Sequence, residues 1–200
     1  MKKNIIFDIG AVLVEWDPNR VYEPYFGDAA KMQLFYTETK IFDVNRKLDQ
    51  GHSFDMLLQE LSLAFPHYKK PILFWKEKWS AMLGGQIQGS IDILKNLYQL
   101  NYPLFALTNW SKETFPIALK QFDFFKYFID IVVSGEEGFI KPDHQIYKIL
   151  LQRNSLKAFD CLFIDDNLDN VKSAQNLGMD AIHFENPEKL INELRVKGIF

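Results

Sequence analysis

The sequence has a single cysteine among its 200 residues, Cys161, so the chain by itself cannot form a disulfide bond. Such scarcity is typical of proteins from a reducing compartment. The sequence also has no apolar run near the ~18 residues that a membrane-spanning helix needs. Asp8 interrupts the apolar segment behind the two N-terminal lysines, so this segment does not resemble a secretory signal peptide. We therefore expect a soluble, cytoplasmic protein without a membrane partner.

An excess of charge of one sign is also lacking. Lysine and arginine together number 23, aspartate and glutamate 26, and the net charge is −3, with no basic block along the chain. Because proteins that bind the phosphate backbone of nucleic acids carry such a block, we expect no nucleic-acid partner. The histidines lack the spacing of metal ligands and are predicted to be surface or packing residues: His52, His67, His144 and His183.

Apolar residues, in contrast, are plentiful enough for a substantial core: they make up 48% of the chain, and aromatic residues make up 15%. From residue 90 onwards, helical patterns alternate with apolar runs that predict strands. Such alternation predicts an α/β fold, a Rossmann-like parallel sheet with helices on both faces. The predicted strands are 5–7, 102–107, 128–133, 161–164 and 181–184, and the predicted helices are 90–100, 111–121, 143–154, 169–177 and the segment from 187 onwards.

Residues 15–89 interrupt this alternation with helix signals and almost no strand signal. Helices are predicted at 28–39, from residue 54 with Ser53 as the N-cap, and from Pro71. Glycines at 84, 85 and 89 predict a flexible exit from the segment, and Ser90 is predicted to cap the next helix. We therefore predict a core of residues 1–14 and 90–200 that carries a helical insert, residues 15–89.

Polar residues stand where four of the predicted core segments end. Because the carboxyl ends of parallel strands meet at one edge of a sheet, where ligands bind, we expect these residues to lie together. They are Asp8, Thr108, Asn109, the loop 138–141, Asp165 and Asp166.

These side chains predict phosphate chemistry. Three neighbouring carboxylates, those of Asp8, Asp165 and Asp166, repel one another unless a cation lies among them. Mg²⁺ is the fitting cation because it takes carboxylate oxygens together with a substrate phosphate. The Thr108 hydroxyl can donate to phosphate oxygens, Lys141 supplies a positive charge, and Asp8 can attack phosphorus to form an aspartyl-phosphate.

Four stretches resemble, in the same order, the motifs of the haloacid dehalogenase (HAD) superfamily. They read FDIGAVL at 7–13, LTNWS at 107–111, IKPDHQIY at 140–147 and FIDDNLDNVKSA at 163–174. The resemblance spans the whole predicted core and is nearest to the glucose-1-phosphate-phosphatase-like branch, whose first motif also reads Asp-x-Gly. It implies a Rossmann-like core beneath a mobile helical cap, residues 15–89, and a covalent mechanism.

The resemblance also assigns roles to individual residues. It implies Asp8 as the nucleophile, Lys141 as the charge stabiliser, Thr108 and Asn109 as phosphate binders, and Asp8, Asp165, Asp166 and the backbone carbonyl of Gly10 as magnesium ligands.

Gly10 departs from the pattern of the family phosphatases, which usually carry a second aspartate at this position. That aspartate protonates the leaving oxygen and later activates water, and losing such a group costs roughly 10²–10⁴ in rate. Glu15, Asp17 and His52 are the candidate replacements that the sequence offers.

Three functions stay open from the sequence. The favoured one is a Mg²⁺-dependent phosphatase that acts on a small phosphomonoester, such as a sugar phosphate, because the acids and the lysine are all present. The second is a metal-independent 2-haloacid dehalogenase, since halide leaves without a proton, although the pair Asp165 and Asp166 would repel a carboxylate substrate. The third is an inactive binding protein, which Gly10 and Ala11 suggest.

The expected partner is a small phosphorylated metabolite, and the chain is expected to be a monomer or a homodimer.

Overall fold

The computed structural model describes residues 2–200, which form seven strands. These are β1 (Asn4–Phe7), β2 (Val14–Trp16), β3 (Leu83–Gln86), β4 (Leu104–Thr108), β5 (Asp130–Val133), β6 (Cys161–Asp165) and β7 (Asp180–His183). Five of them form a parallel sheet in the order β5–β4–β1–β6–β7, while β2 and β3 form an antiparallel pair. The predicted α/β fold with a parallel sheet is confirmed.

Twelve α-helices accompany the strands within residues 2–200. They are α1 (Asn19–Phe26), α2 (Ala29–Thr39), α3 (Ile41–Asp49), α4 (Phe54–Ala64), α5 (Lys69–Glu77), α6 (Trp79–Met82), α7 (Gln88–Gln99), α8 (Phe115–Gln121), α9 (Ser134–Glu137), α10 (His144–Arg153), α11 (Leu168–Asn176) and α12 (Pro187–Val196). In the described part of the chain, no helix combines the length and the apolar character that crossing a bilayer requires.

The central strand β1 explains why the sheet forms where it does. Its residues Ile5, Ile6 and Phe7 are completely buried, because helices cover both faces of the sheet. Ile5 and Phe7 belong to one apolar cluster and Ile6 to a second, as alternating side chains of one strand require. A strand buried on both faces needs an uninterrupted apolar run, and the run ends at the first position that faces the sheet edge, Asp8.

The expectation of a flexible glycine exit after the insert is wrong. Gly84 and Gly85 lie in β3, which pairs with β2, so the insert starts and ends in a short two-stranded ribbon. A Cβ atom on Gly84 would lie 2.5 Å from the Cβ of Glu15, so only glycine allows this close approach. Two strands of three and four residues, one with two glycines, carry too little β-propensity to be recognised in the sequence.

Some of the predicted helix starts agree with the structure, and others lie two residues away. Asp28 and Asn186 cap α2 and α12 through hydrogen bonds to the backbone N–H groups of Lys31 and Lys189. Ser90 does not cap α7, which begins two residues earlier at Gln88, and its side chain is completely buried. α5 likewise begins at Lys69, two residues before Pro71, which its first turn tolerates.

The helices between β2 and β3 have an aromatic core of their own. Tyr22 packs on Phe35 and Trp75 with ring centroids 5.1 and 5.9 Å apart, and all three side chains are buried. The Tyr22 hydroxyl donates to the carbonyl oxygen of Pro71 at 2.9 Å. This cluster gives α3 and its neighbours a rigid support.

Candidate active site

The carboxyl ends of β1, β4 and β6 bring Asp8, Thr108 and Asp165 to one edge of the sheet. All three side chains are buried, with 8%, 1% and 0% of their surface exposed. The backbone N–H of Asp8 donates to the carbonyl oxygen of Ile164 at 2.8 Å, which continues the β1–β6 pairing to the site. The structure thus places together the strand-end residues that the sequence singles out.

Lys141 reaches this edge from the loop before α10 and lies between two of the acids. Its Nζ atom is 2.8 Å from Asp8 Oδ1 and 2.7 Å from Asp165 Oδ2, and its side chain is 1% exposed. Asn109 holds the loop in place: its Oδ1 accepts the backbone N–H of Lys141 at 2.8 Å, and its Nδ2 donates to the Lys141 carbonyl oxygen at 3.0 Å. The side chain of Asn109 therefore positions the lysine, besides lining the cavity described below.

Asp165 is fixed by hydrogen bonds from the start of α11. Its Oδ1 accepts from the backbone N–H of Asn167 at 2.8 Å and from Asn170 Nδ2 at 2.9 Å. The sequence does not single out Asn170, because nothing distinguishes it there from the other polar residues of the run DDNLDN. Asp169, in the first turn of α11, lies exposed near Lys172.

Asp8, Asp165 and Asp166 together fit a divalent cation. One carboxylate oxygen of each lies within 4.8 Å of the others. Hard oxygen donors in this arrangement, with space left for a phosphate, suit Mg²⁺. Gly10 follows on the same loop and lines the cavity beside Asp8.

Burial and the neighbouring charges together shift the pKa values of Asp8 and Lys141. Burial raises the pKa of Asp8 to about 7, with Lys141 opposing the shift and Asp165 and Asp166 adding to it. Burial also lowers the pKa of Lys141, but the carboxylates of Asp165 and Asp8 outweigh it and keep that pKa above its usual value. Lys141 is therefore a cation. A second cation bound beside Asp8 would lower the pKa of Asp8 and favour its carboxylate form.

A cavity of about 350 Å³ opens above Asp8 and is bounded on the other side by residues from the helical insert. Three tryptophans line it: Trp16, Trp79 and Trp110. Helix α3 contributes Asn45 and Asp49. A Cβ atom at Gly10 would meet no heavy atom within 4 Å, so the space where an aspartate side chain would begin is open to the cavity.

The proton donors that the sequence suggests do not line this cavity. Glu15 forms an exposed ion pair with Arg20. Asp17 accepts the backbone N–H of Asn19 at 2.9 Å near the start of α1. His52 is exposed in the turn between α3 and α4.

The turn after α3 fits closely against the core. The Asp49 carbonyl oxygen accepts a hydrogen bond from Ser134 Oγ at 2.6 Å. Gly51 has φ +92°, and a Cβ atom there would lie 2.6 Å from the carbonyl oxygen of Gly135. This contact between two glycines sets how closely α3 approaches the sheet edge.

We expect Gly51→Ala to destabilise the protein by about 1–3 kcal/mol through its backbone conformation, with an additional loss from the clash with Gly135. Urea unfolding measures the total. Gly27→Ala is the matched control, because Gly27 has φ +60° and open space around its Cβ position. Equal losses in the two variants would contradict a tight contact at Gly51.

The parallel sheet, with acids clustered at the carboxyl ends of its strands, is typical of Rossmann-like α/β proteins that bind ligands at this edge. A sequence profile of the haloacid dehalogenase-like hydrolases matches residues 41–184. The chain therefore belongs to this family.

Several individual proteins are also similar to this chain. Drimenol cyclase drtB of Aspergillus calidoustus is 26% identical over 97% of the chain, although the chain spans only 36% of that protein. D-ribitol-5-phosphate phosphatase of Bacteroides thetaiotaomicron is 23% identical over 98% of both chains. A HAD-family enzyme of the same bacterium, crystallised with magnesium and inorganic phosphate, is similar in fold, with a TM-score of 0.74 at 21% identity over 93% of this chain and 95% of that one.

Proposed function

We propose that this protein is a Mg²⁺-dependent phosphatase that hydrolyses a small phosphomonoester through an aspartyl-phosphate on Asp8. The observation that carries the proposal is the cluster in which Lys141 contacts both Asp8 and Asp165, while Asp8 and Asp166 line the cavity. The phosphatase activity named for the Bacteroides relative supports it.

Each residue of the cluster has a part in this reaction. Asp8 attacks phosphorus, and Lys141 balances the charge of the nucleophile and of the phosphoryl group. The Thr108 hydroxyl, buried at the end of β4, donates to a phosphoryl oxygen. Asp8, Asp165, Asp166 and the Gly10 carbonyl would hold the metal. When bound, Mg²⁺ supplies positive charge that neutralises the acids and stabilises the phosphoryl oxygens.

The cavity limits the substrate. A volume of about 350 Å³ suits a small phosphorylated metabolite, and a sugar or polyol phosphate is the first class to test because of the relative's named substrate. We propose that residues 15–89 form a cap that encloses it, since α3 and β2 supply the opposite wall.

A dehalogenase is the second candidate, because Gly10 offers no acid and halide needs none. The three clustered carboxylates oppose it, since they would repel a carboxylate substrate. Chloride release from 2-chloropropionate that persists in EDTA would favour the dehalogenase.

We expect the purified protein to hydrolyse members of a phosphomonoester panel that includes D-ribitol 5-phosphate, aldose phosphates and p-nitrophenyl phosphate. Released phosphate is measured with Mg²⁺, after EDTA, and after Mg²⁺ is restored. Activity should fall to background in EDTA and return with the metal, because the acids need a cation to bind a phosphate dianion. Failure on the whole panel with Mg²⁺ present, or turnover indifferent to EDTA, would refute the proposed function.

A further inference from the structure

A partly buried acid that the proposed reaction has not used lies at the end of α3. Asp49 lines the same cavity as Asp8 and Gly10. It belongs to the insert, whereas Asp8 and Gly10 belong to the sheet edge. A phosphomonoester in this cavity would therefore lie within a space that both acids border.

The Asp49 carboxyl group is oriented by a chain of hydrogen bonds. Asn45, one helical turn earlier, donates from Nδ2 to Asp49 Oδ2 at 2.9 Å. The Oδ1 atom of Asn45 in turn accepts from Nε1 of Trp75 at 3.0 Å, and Trp75 is completely buried in the aromatic cluster. The backbone of Ser111 also hydrogen-bonds with the Asp49 carboxyl group, which borders the cavity.

The backbone around Asp49 is held just as firmly. Ser134 Oγ donates to its carbonyl oxygen, and the close contact of Gly51 with Gly135 fixes the next turn. The carboxyl group therefore has a defined position relative to the sheet edge.

The surroundings favour the protonated form of this acid. Burial raises the pKa of Asp49 to about 7, while a hydrogen bond with the backbone of Ser111 lowers it. Within residues 2–200, no basic group lies within ion-pair distance of Asp49. The charged groups on the packed elements and at the cavity are Asp43, Arg46 and Lys47 on α3, Asp55 and Glu60 on α4, Lys112 and Glu113 after β4, Glu136 and Glu137 on α9, and Asp8 and Asp166.

Four of these groups have other partners. Glu113 accepts the backbone N–H of Phe54, and the ion pairs are Glu137 with Arg153, Asp55 with Lys76 and Asp8 with Lys141. Arg46 and Lys47 are exposed on their helix. The environment of Asp49 is thus apolar on the side of the tryptophans and free of a stabilising cation.

We propose that Asp49 is the general acid and base that this enzyme uses in place of the residue missing at Gly10. The inference rests on the proposed phosphatase function. In the first step, Asp8 Oδ attacks phosphorus, the bond from phosphorus to the leaving oxygen breaks, and that oxygen takes the Asp49 proton to leave as an alcohol. In the second, the Asp49 carboxylate takes a proton from water as the water oxygen attacks phosphorus, and the bond to Asp8 breaks to release phosphate.

The test is Asp49→Asn, which keeps the size of the side chain and an acceptor for Asn45. For an alkyl phosphate such as D-ribitol 5-phosphate, we expect kcat/KM to fall roughly 10²–10⁴-fold, the usual cost of losing an acid–base group. For p-nitrophenyl phosphate, whose phenolate leaves without a proton, kcat/KM should change little. Its kcat should fall, because hydrolysis of the aspartyl-phosphate still needs the base.

A second readout does not depend on steady-state turnover. Asp49→Asn should release one equivalent of p-nitrophenolate in a burst and accumulate a phosphorylated chain, detectable by intact mass.

The pH profile of kcat/KM is a third readout. For the alkyl phosphate, kcat/KM of the native enzyme should fall above pH about 7, since Asp49 must be protonated to act as the acid. This fall should be absent from the variant.

Asp43→Asn, an exposed acid in the first turn of α3, is the matched control and should behave as the native enzyme. Equal losses of kcat/KM on both substrates without a burst would overturn the proposal in favour of a structural role, and no loss on either would overturn it directly. Native enzyme that hydrolyses no substrate with Mg²⁺ would remove the proposed function and this inference together. If the native enzyme is active and the Asp49→Asn variant is equally active, the role of Asp49 is wrong but the proposed phosphatase function stands.

Discussion

Replacing Asp8 with asparagine is expected to abolish phosphatase turnover, a loss on the order of 10⁶ of the kind that follows removal of a catalytic nucleophile. An amide oxygen is a poor nucleophile towards phosphorus and cannot form the aspartyl-phosphate. The fold should survive, because Lys141 keeps its contact with Asp165 at 2.7 Å. Burial already disfavours a charge on residue 8, so a neutral side chain of the same shape is tolerated there.

Steady-state release of phosphate and intact mass after reaction with p-nitrophenyl phosphate measure this effect, and thermal unfolding checks the fold. Asp169→Asn is the matched control, since Asp169 lies close in sequence to the acid cluster but is exposed. It should keep native activity. If Asp8→Asn turned over substrate at a rate comparable with the native enzyme, another group would have to attack phosphorus, and the covalent mechanism on Asp8 would be wrong.

The sheet and its acidic edge could be predicted because each depends on local sequence. Strands buried on both faces require continuous apolar runs, such as Ile5 to Phe7 and Cys161 to Ile164, and each run is followed directly by an aspartate at the sheet edge. Parallel pairing then forces those ends together whatever the distance along the chain. The proximity of Asp8 and Asp165 follows from these two facts alone.

The wall formed by the insert could not be predicted in this way. Asp49 closely follows Arg46 and Lys47, charged residues that are typical of an exposed helical face. Its place in the cavity depends on how α3 packs against α9, which two glycines from distant parts of the chain allow. No periodicity or motif in the sequence reports such a contact.

The proton donor that would replace the missing aspartate at Gly10 could not be predicted from the sequence either. Glu15, Asp17 and His52 were sensible candidates because Glu15 and Asp17 follow the first motif closely and His52 lies in the insert. Both acids instead have partners at the start of α1. Glu15 pairs with Arg20, and Asp17 accepts a hydrogen bond from the backbone N–H of Asn19. A charged residue near a motif is often satisfied locally, and only the tertiary structure shows which acid is left facing the cavity.

Replacing Lys141 with methionine is expected to destabilise the metal-free protein by about 3–5 kcal/mol, the usual result of removing one partner from a buried ion pair. Methionine fills a similar volume but leaves Asp8 and Asp165, both buried, without the cation that lies 2.8 and 2.7 Å from them. Because the remaining acids retain their oxygen donors, we expect Mg²⁺ to recover part of the loss, and to stabilise this variant more than the native protein.

Urea unfolding in EDTA and in Mg²⁺ measures both effects, and Lys172→Met is the matched control. Lys172 is exposed and 3.8 Å from Asp169, so its removal should cost no more than about 1 kcal/mol and should not change the response to the metal. A Lys141→Met variant as stable as the native protein in EDTA would mean that the clustered acids are already neutral. A variant that Mg²⁺ fails to stabilise would mean that the acids do not bind the metal, and the phosphate chemistry proposed for this edge of the sheet would then lack its cation.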